Sequence, residues 1–276
     1  MLLWQCTRNH VFGVEDFLSG GFPRRSGLER KIFGIILVLQ MLLAVAGVNA
    51  ADRSVDTPFA ALLAAHVHPG AVDYAGLKRQ ESMLDAYLES ISGIEPDLLP
   101  LPEQFAFYIN AYNAWTLKLI LEHYPGIRSI KEAGGLFRSP WKRNFVRLPG
   151  RTVSLDAIEH GILRPRFKDP RIHFAVNCAS RSCPPLAAAP YRGETIDADL
   201  DVATRAFVNN PDNTFFQEAR LHVSSIFDWY AEDFGGPQGV WEFIRRHAGP
   251  DLARQMDAAT SRKLAYTDYD WSLNGQ

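Results

Sequence analysis

Residues 172–186 read Ile-His-Phe-Ala-Val-Asn-Cys-Ala-Ser-Arg-Ser-Cys-Pro-Pro-Leu, an apolar run that leads directly into a small, polar loop. The run predicts a core strand from Ile172 to Cys178, and a buried strand of this kind delivers the residues after it to the protein surface. On such a strand His173 and Asn177 share one face, whereas Cys178 points to the other. We therefore take this stretch as the centre of the fold and of any functional site.

The composition of the chain is that of an ordinary globular protein. Of its 276 residues 47% are hydrophobic and 22% are charged, which allows one substantial core. The formal net charge of -2 gives no reason to expect nucleic acid or an anionic membrane as a partner. The expected partner is a small molecule, a peptide or a component of the cell envelope, and the oligomeric state is left open.

Residues 1–50 have the order of a secretory signal peptide. Basic residues at 24–31 precede an apolar run over 32–48, which ends in Val48-Asn49-Ala50. Small residues at that point suit signal peptidase, so we predict cleavage after Ala50 and a periplasmic or secreted protein of residues 51–276. A retained membrane anchor is the alternative, although the run is short for a span and contains Gln40.

The pattern along residues 51–276 predicts a mainly helical α+β single domain with a small, largely antiparallel sheet. A long helix is expected from about Gln104 to His123. Hairpins are expected over 143–154 and 214–223, where short apolar strands flank turn residues. Because the strands come in hairpins or singly, the pattern favours α+β over a parallel α/β sheet.

The long helix carries Asn110 and Asn113 among apolar residues on both of its sides, which is typical of a buried helix. A buried amide without a partner costs about 1–3 kcal/mol, so both side chains need hydrogen bonds. One interpretation is that they bind backbone groups of a neighbouring loop. The other is that one of them serves a site, Asn110 as a binding residue or Asn113 as the group that orients a catalytic residue.

Four blocks carry a resemblance to a known family: 105–114, 155–160, 171–186 and 226–234. In combination they resemble domain-of-unknown-function family 547 over nearly all of residues 51–276, and Tyr269–Asn274 also fits. The resemblance implies an exported protein of a family whose members have no settled activity.

A second, more distant resemblance is to the papain/transglutaminase-like α+β architecture. That architecture implies a cysteine at a helix start and a histidine on a neighbouring strand. This sequence departs from the pattern, because its cysteines follow the histidine and Asn113 stands on the long helix where a cysteine is sought.

Cys178 and Cys183 are the cysteines that remain once Cys6 is removed with the signal peptide. An even cysteine count in an exported protein predicts a disulfide, and closing this short loop is worth about 2 kcal/mol. The alternative is a thiol enzyme in which either cysteine acts with His173. A redox pair or a metal site with these cysteines is less favoured, because the spacing matches neither Cys-x-x-Cys nor a zinc module, and we predict no cofactor and no metal.

Further candidates for a binding site are Asn177, Glu159, Asp228 and Trp229. Glu159 and His160 are neighbours on a predicted helix, so they point about 100° apart and only one of them is expected to face a site. Asp228 and Trp229 begin an acidic and aromatic segment that either packs in the core or forms a wall against which a sugar or peptide stacks.

Two functional hypotheses follow, and whether the protein is an enzyme stays open between them. The first is an envelope domain that binds a ligand or partner and has a disulfide-stapled loop. The second is a thiol-dependent hydrolase or acyl transferase that acts on peptide or amide bonds. The redox state of Cys178 and Cys183 discriminates between them, because a permanent bridge removes the nucleophile.

Overall fold

The computed structural model describes residues 55–134 and 139–275, all of which belong to one compact unit. The predicted signal peptide lies outside the described residues. Within the described ranges no helix is long and apolar enough to cross a membrane. Helices dominate and the sheets are small, so the prediction of a mainly helical α+β domain is confirmed.

Helices of very different lengths follow one another along the chain. In chain order they are α1 (Thr57–His66), α2 (Tyr74–Arg79), α3 (Glu81–Ser92), α4 (Leu101–His123), α5 (Leu155–Ile158), α6 (Arg164–Phe167), α7 (Ile196–Val208), α8 (Ile226–Trp229), α9 (Gly236–His247) and α10 (Pro250–Ala258). Short 3₁₀ helices lie between them at Pro96–Leu98, Ile130–Gly134, Pro140–Lys142, Pro170–Phe174 and Ala231–Phe234.

The strands form small separate sheets. They are β1 (Val67–His68), β2 (Ala71–Val72), β3 (Val146–Leu148), β4 (Arg151–Val153), β5 (Thr214–Gln217), β6 (Arg220–Ser224) and β7 (Leu264–Thr267). Three consecutive pairs, β1–β2, β3–β4 and β5–β6, are antiparallel. The pairs β3–β4 and β5–β6 are the predicted hairpins, whereas β1–β2 was not predicted. The last strand, β7, pairs with β6 in parallel and completes a sheet in the order β5-β6-β7.

Helix α4 is the centre of the larger core. It starts beside Pro102, whose missing N–H is unneeded in a first turn, and nearly all its faces are buried. Helices α2, α3 and α5 pack on it, and a second core of phenylalanines forms around Phe174 with α7, α8 and α9. The segment between Phe174 and α7, which contains both cysteines, packs into the larger core through Val176, Ala179 and Leu186.

The predicted strand from Ile172 to Cys178 is wrong. Residues 170–174 form a 3₁₀ helix, whose first turn is capped by the Asp169 carboxylate accepting the Arg171 N–H at 2.9 Å. Beyond it, the backbone bonds to the side chain of Asn113 instead of to a neighbouring strand. His173 and Asn177 consequently do not share a strand face.

A second departure concerns the predicted helix that carries Glu159 and His160. Ser154 caps its start by accepting the Ala157 N–H at 3.0 Å. After Ile158 the chain widens into a π-helix, Glu159–Leu163, before α6 begins. Such π segments inside helices are frequent at functional sites, because they redirect one side chain.

Candidate active site

A cavity of about 210 Å³ opens beside the loop that contains the two cysteines. Its lining joins sulfur, imidazole, carboxylate and aromatic groups from segments far apart in the sequence. These residues are Tyr112, Ser139, Trp141, Asp156, Glu159, His160, His173, Val176, Cys178, Cys183, Pro184, Ile226, Trp229, Tyr230, Tyr269 and Trp271. The cavity thus brings together Cys178, Cys183, His173, Glu159 and Trp229 from the candidates named by sequence.

Both cysteines are free thiols, so the predicted disulfide is absent from the structure. The physical reason lies in the position of the Cys183 sulfur. It sits 2.8 Å from the backbone nitrogen of Cys178 and accepts that N–H, which turns the loop around a hydrogen bond rather than a covalent bridge. Cys183 is buried and Cys178 is partly exposed to the cavity.

The Cys178 sulfur lies within hydrogen-bonding distance of two hydroxyl groups. Ser180 Oγ and the Tyr269 hydroxyl oxygen are each 3.2 Å from Sγ, and they are also 3.2 Å from each other. Burial raises the pKa of the Cys178 thiol, but hydrogen bonds from Cys183, Ser180 and Tyr269 outweigh it and lower that pKa to about 7. Burial raises the pKa of Cys183 well above its usual range. Cys178 is therefore the group that ionises near neutral pH.

The loop is held by side-chain amides and by an unusual backbone conformation. Asn177 accepts the Ala179 N–H at 2.9 Å and donates to the Pro184 carbonyl oxygen at 2.7 Å. Ala179 itself has φ +60°, a left-handed conformation that disfavours residues other than glycine. This left-handed residue lies between Cys178 and Ser180, so it sets the direction of both side chains.

Residues 269–274 hold the same loop in place through backbone hydrogen bonds. The N–H of Arg181 donates to Ser272 at 2.9 Å, and the N–H of Asn274 donates to Ala179 at 3.1 Å, both to carbonyl oxygens. The Tyr74 hydroxyl in turn donates to the Asn274 side chain at 2.6 Å. These bonds fix Tyr269 against the Cys178 sulfur.

His173 lies between two carboxylates. Its Nε2 is 2.7 Å from Asp233 Oδ2, and its Nδ1 is 4.0 Å from Glu159 Oε1. Its ring stacks on Tyr230 with centroids 3.8 Å apart. Burial raises the pKa of Asp233, but hydrogen bonds from His173 and Arg164 outweigh it and hold that pKa well below its usual range. Asp233 is therefore an ionised acceptor, which places a proton on His173 Nε2.

Three further hydrogen bonds complete this polar cluster. Arg164 donates to both oxygens of Asp233, at 2.6 Å and 2.8 Å. The Tyr230 hydroxyl bonds to Glu159, and burial followed by the Glu159 charge raises the pKa of Tyr230 far above its usual range. Tyr230 therefore stays protonated and serves as a donor to Glu159.

Glu159 and His160 both line the cavity, which differs from the expectation for neighbouring positions on a regular helix. Glu159 is 6% exposed, whereas His160 is exposed and contacts the guanidinium of Arg164 at 2.8 Å. The expectation that one of the pair is solvated holds. The expectation that only one faces a site is wrong, because the π-helix begins at Glu159 and the cavity extends from the buried to the exposed side of it.

Aromatic rings form one side of the cavity, and we call Trp229, Tyr269 and Trp271 the aromatic wall. Their ring centroids are 4.5 to 5.6 Å apart. Trp141 packs edge-on against Trp271 at 5.6 Å. Trp229 is 47% exposed, so the wall remains open to a ligand.

The other candidates named from the sequence lie away from the cavity. Asn110 bonds to both backbone groups of Tyr191, at 2.8 Å and 2.9 Å. Asn113 and Asn177 likewise bind backbone, and Asp228 is exposed outside the cavity lining. The first interpretation of the two helix asparagines, that they bind loop backbone, is confirmed.

Sequence reasoning did not assign a role to Tyr269, Trp271, Arg164 or Trp141. Tyr269 and Trp271 belong to the closing block of the family resemblance, which was the available signal. Arg164 had none, because its pairing with Asp233 spans 69 residues. Among the described residues no group of three or more histidine, cysteine, aspartate or glutamate side chains could hold a metal ion.

Comparison with known proteins gives one match. Residues 96–208, which include α4, the π-helix, His173 and both cysteines, match the model of a family described as "Protein of unknown function, DUF547". No curated protein and no solved structure matches the chain. Through this region, which holds most of the polar groups of the cavity, the chain belongs to the family DUF547.

Proposed function

We propose that the protein is a thiol-dependent hydrolase or acyl transferase acting on peptide or amide bonds, with Cys178 as its nucleophile. The observation that carries the proposal is the Cys178 sulfur at the cavity, 3.2 Å from both the Ser180 and Tyr269 hydroxyls. The thiolate is the reactive form of cysteine, and donors of this kind stabilise it.

The reaction has two halves. In the first, the Cys178 thiol passes its proton to His173, the sulfur attacks the carbonyl carbon, a C–S bond forms, the C–N bond breaks, and the leaving nitrogen takes that proton from His173. In the second, water or an acceptor amine gives a proton to His173 and attacks the thioester carbon, the C–S bond breaks, and the thiolate beside protonated His173 returns. Water gives hydrolysis and an amine gives acyl transfer.

His173 is the candidate proton donor for the leaving nitrogen. It lines the same cavity as Cys178 and is oriented through Nε2 by Asp233, which Arg164 fixes in turn. A histidine oriented by a carboxylate is the usual partner of a thiol or hydroxyl nucleophile. His173 thus acts on the substrate, and Asp233 acts through His173.

A ligand-binding domain without catalysis is the second candidate, and the aromatic wall favours it. Open aromatic rings beside polar groups are typical of ligand sites, whether or not a reaction follows. In that case Cys178 is one contact among several, and its replacement leaves function unchanged.

Acylation of the reduced protein by p-nitrophenyl acetate, followed by intact mass spectrometry and peptide mapping, separates the two. We expect an acetyl group on Cys178, none on Cys178→Ser, and retention in Cys183→Ser, whose hydroxyl can still accept the Cys178 N–H. His173→Gln should slow turnover of a peptide amide more than acylation by this ester, because p-nitrophenolate leaves without a proton. Absence of acetyl-Cys178 in the parent contradicts the proposal.

We also propose that the protein works in the periplasm or outside the cell. The order of basic, apolar and small residues over 24–50 supports export. Intact mass of protein recovered from the periplasm should correspond to a chain that begins at Ala51. An uncleaved chain in the membrane fraction contradicts this.

A further inference from the structure

Carboxylates are the fixed charges among the residues that line the cavity. Asp156 and Glu159 line it, and none of the lining side chains in the described ranges is lysine or arginine. Arg164 is bound to Asp233 through two hydrogen bonds and lies outside the lining. A neutral ligand makes no use of this negative potential, and an anionic one is repelled by it.

The remaining lining is rich in aromatic rings. Besides the aromatic wall it contains Tyr112, Trp141 and Tyr230. Rings of this kind attract cations through their π faces, most strongly tryptophan. The protein already shows the contact on the wall, because the ammonium nitrogen of Lys131 lies 3.9 Å from the ring centroid of Trp271.

The buried end of the cavity offers an acceptor that no described group satisfies. His173 is 3% exposed, and its Nδ1 has no hydrogen-bond partner. Asp233 occupies Nε2, so Nδ1 is the ring nitrogen left for a ligand, and in the tautomer with its proton on Nε2 it is an acceptor. Glu159 Oε1, 4.0 Å away, is an acceptor too. An N–H donor from a ligand suits both atoms.

We propose that this cavity binds a protonated primary amine, that is, an alkylammonium group such as the end of a lysine-like side chain or a small diamine. The ammonium lies near Glu159 and His173, and the alkyl part lies along the aromatic wall. A volume of about 210 Å³ is below the roughly 300–1,000 Å³ of pockets for drug-sized ligands, so it suits a single such group.

The inference deepens the proposed function, because it assigns the cationic class of substrate to the thiol enzyme. Binding of the amine does not itself need the thiol. The test therefore uses Cys178→Ser protein, in which reaction cannot occur, so that failure of amine binding and failure of catalysis are observed separately.

Calorimetric titration at pH 7 and constant ionic strength compares pentylammonium chloride with 1-pentanol, which has similar length and no charge. We expect pentanol to bind about tenfold more weakly. Glu159→Gln and Trp229→Leu should each weaken pentylammonium several-fold, whereas the exposed control changes Glu242→Gln and Tyr266→Leu should not. Equal affinity for the two probes, no saturable binding of pentylammonium, or tighter binding of glucose than of pentylammonium overturns the inference.

Discussion

Asn113 Oδ1 accepts the backbone N–H of Asn177 at 2.8 Å, across a sequence separation of 64 residues. The same amide donates through Nδ2 to the Ala175 carbonyl oxygen at 2.9 Å. One side chain of α4 thus takes the place of a neighbouring strand for the backbone just before Cys178. The position of the proposed nucleophile depends on a buried helix residue that does not line the cavity.

We predict that Asn113→Leu lowers the free energy of unfolding by about 2–4 kcal/mol. Two buried backbone groups lose their partner, and each unsatisfied group costs about 1–3 kcal/mol, partly offset by the apolar leucine. Urea denaturation measures the loss. Thr116→Val on the same helix is the control, because the Thr116 hydroxyl bonds only to its own helix at Tyr112. A parent-like midpoint for Asn113→Leu contradicts the prediction.

The rate at which Cys178 is labelled by iodoacetamide should rise with pH around a midpoint near 7, since hydrogen bonds to its sulfur lower its pKa to about that value. Tyr269→Phe removes one of these donors, so the thiolate is less stable and the midpoint should move to higher pH. Tyr266→Phe, on β7 and outside the cavity lining, is the matched control. Unchanged midpoints in all three proteins exclude this role for Tyr269.

The number of free thiols decides between the two cysteine hypotheses. Residues 51–276, purified without reductant and unfolded in denaturant, should show both thiols free in a titration with Ellman's reagent, because the structure holds both as thiols. Cys178→Ser and Cys183→Ser should each lower the count by one. If the parent protein has no free thiol, the loop is closed by a disulfide and Cys178 is not available as a nucleophile.

The ionisation of Asp233 makes the stability of the fold depend on pH. Because its pKa is lower in the folded than in the unfolded chain, ionised Asp233 stabilises the fold above the unfolded value of about 3.9. That contribution is lost as the pH falls through the folded value. We expect Asp233→Asn to melt at lower temperature than the parent at pH 6, with the difference shrinking below about pH 4.

Asp257→Asn provides the matched control for that experiment. Asp257 also pairs with an arginine, Arg245, but both side chains are exposed, and such surface pairs contribute little. Thermal melts at a series of pH values should therefore separate the two variants. If Asp233→Asn follows the parent at every pH, the carboxylate does not stabilise the fold through His173 and Arg164.

The elements with strong local patterns were predictable, and the site was not. Helix α4 and the hairpins β3–β4 and β5–β6 follow from periodicity and turn residues. The segment 172–178 has the composition of a strand, yet it bonds to Asn113 from another part of the chain. Local patterns do not contain such long-range partners, so the strand prediction failed where tertiary contacts replaced the sheet.

The same limit applies to the cysteines. Their count and setting predicted a bridge, while the structure shows a hydrogen bond from the Cys178 N–H to the Cys183 sulfur. The choice of Cys178 as the candidate thiol rests on its hydrogen-bond partners, one of which, Tyr269, is far from it in the sequence. The candidate list nevertheless contained Cys178, Cys183, His173, Glu159 and Trp229, all of which line one cavity.

The cysteine loop is held by residues 269–274, which are synthesised much later than the loop itself. Ser180 and its neighbour Cys178 leave the ribosome long before Tyr269, which follows Ser180 by 89 residues. Until that segment docks, the thiol lacks one of its donors and the cavity lacks two rings of its wall. A growing chain therefore has only part of the hydrogen bonding that lowers the pKa of Cys178, and the full set forms as one of the last steps of folding.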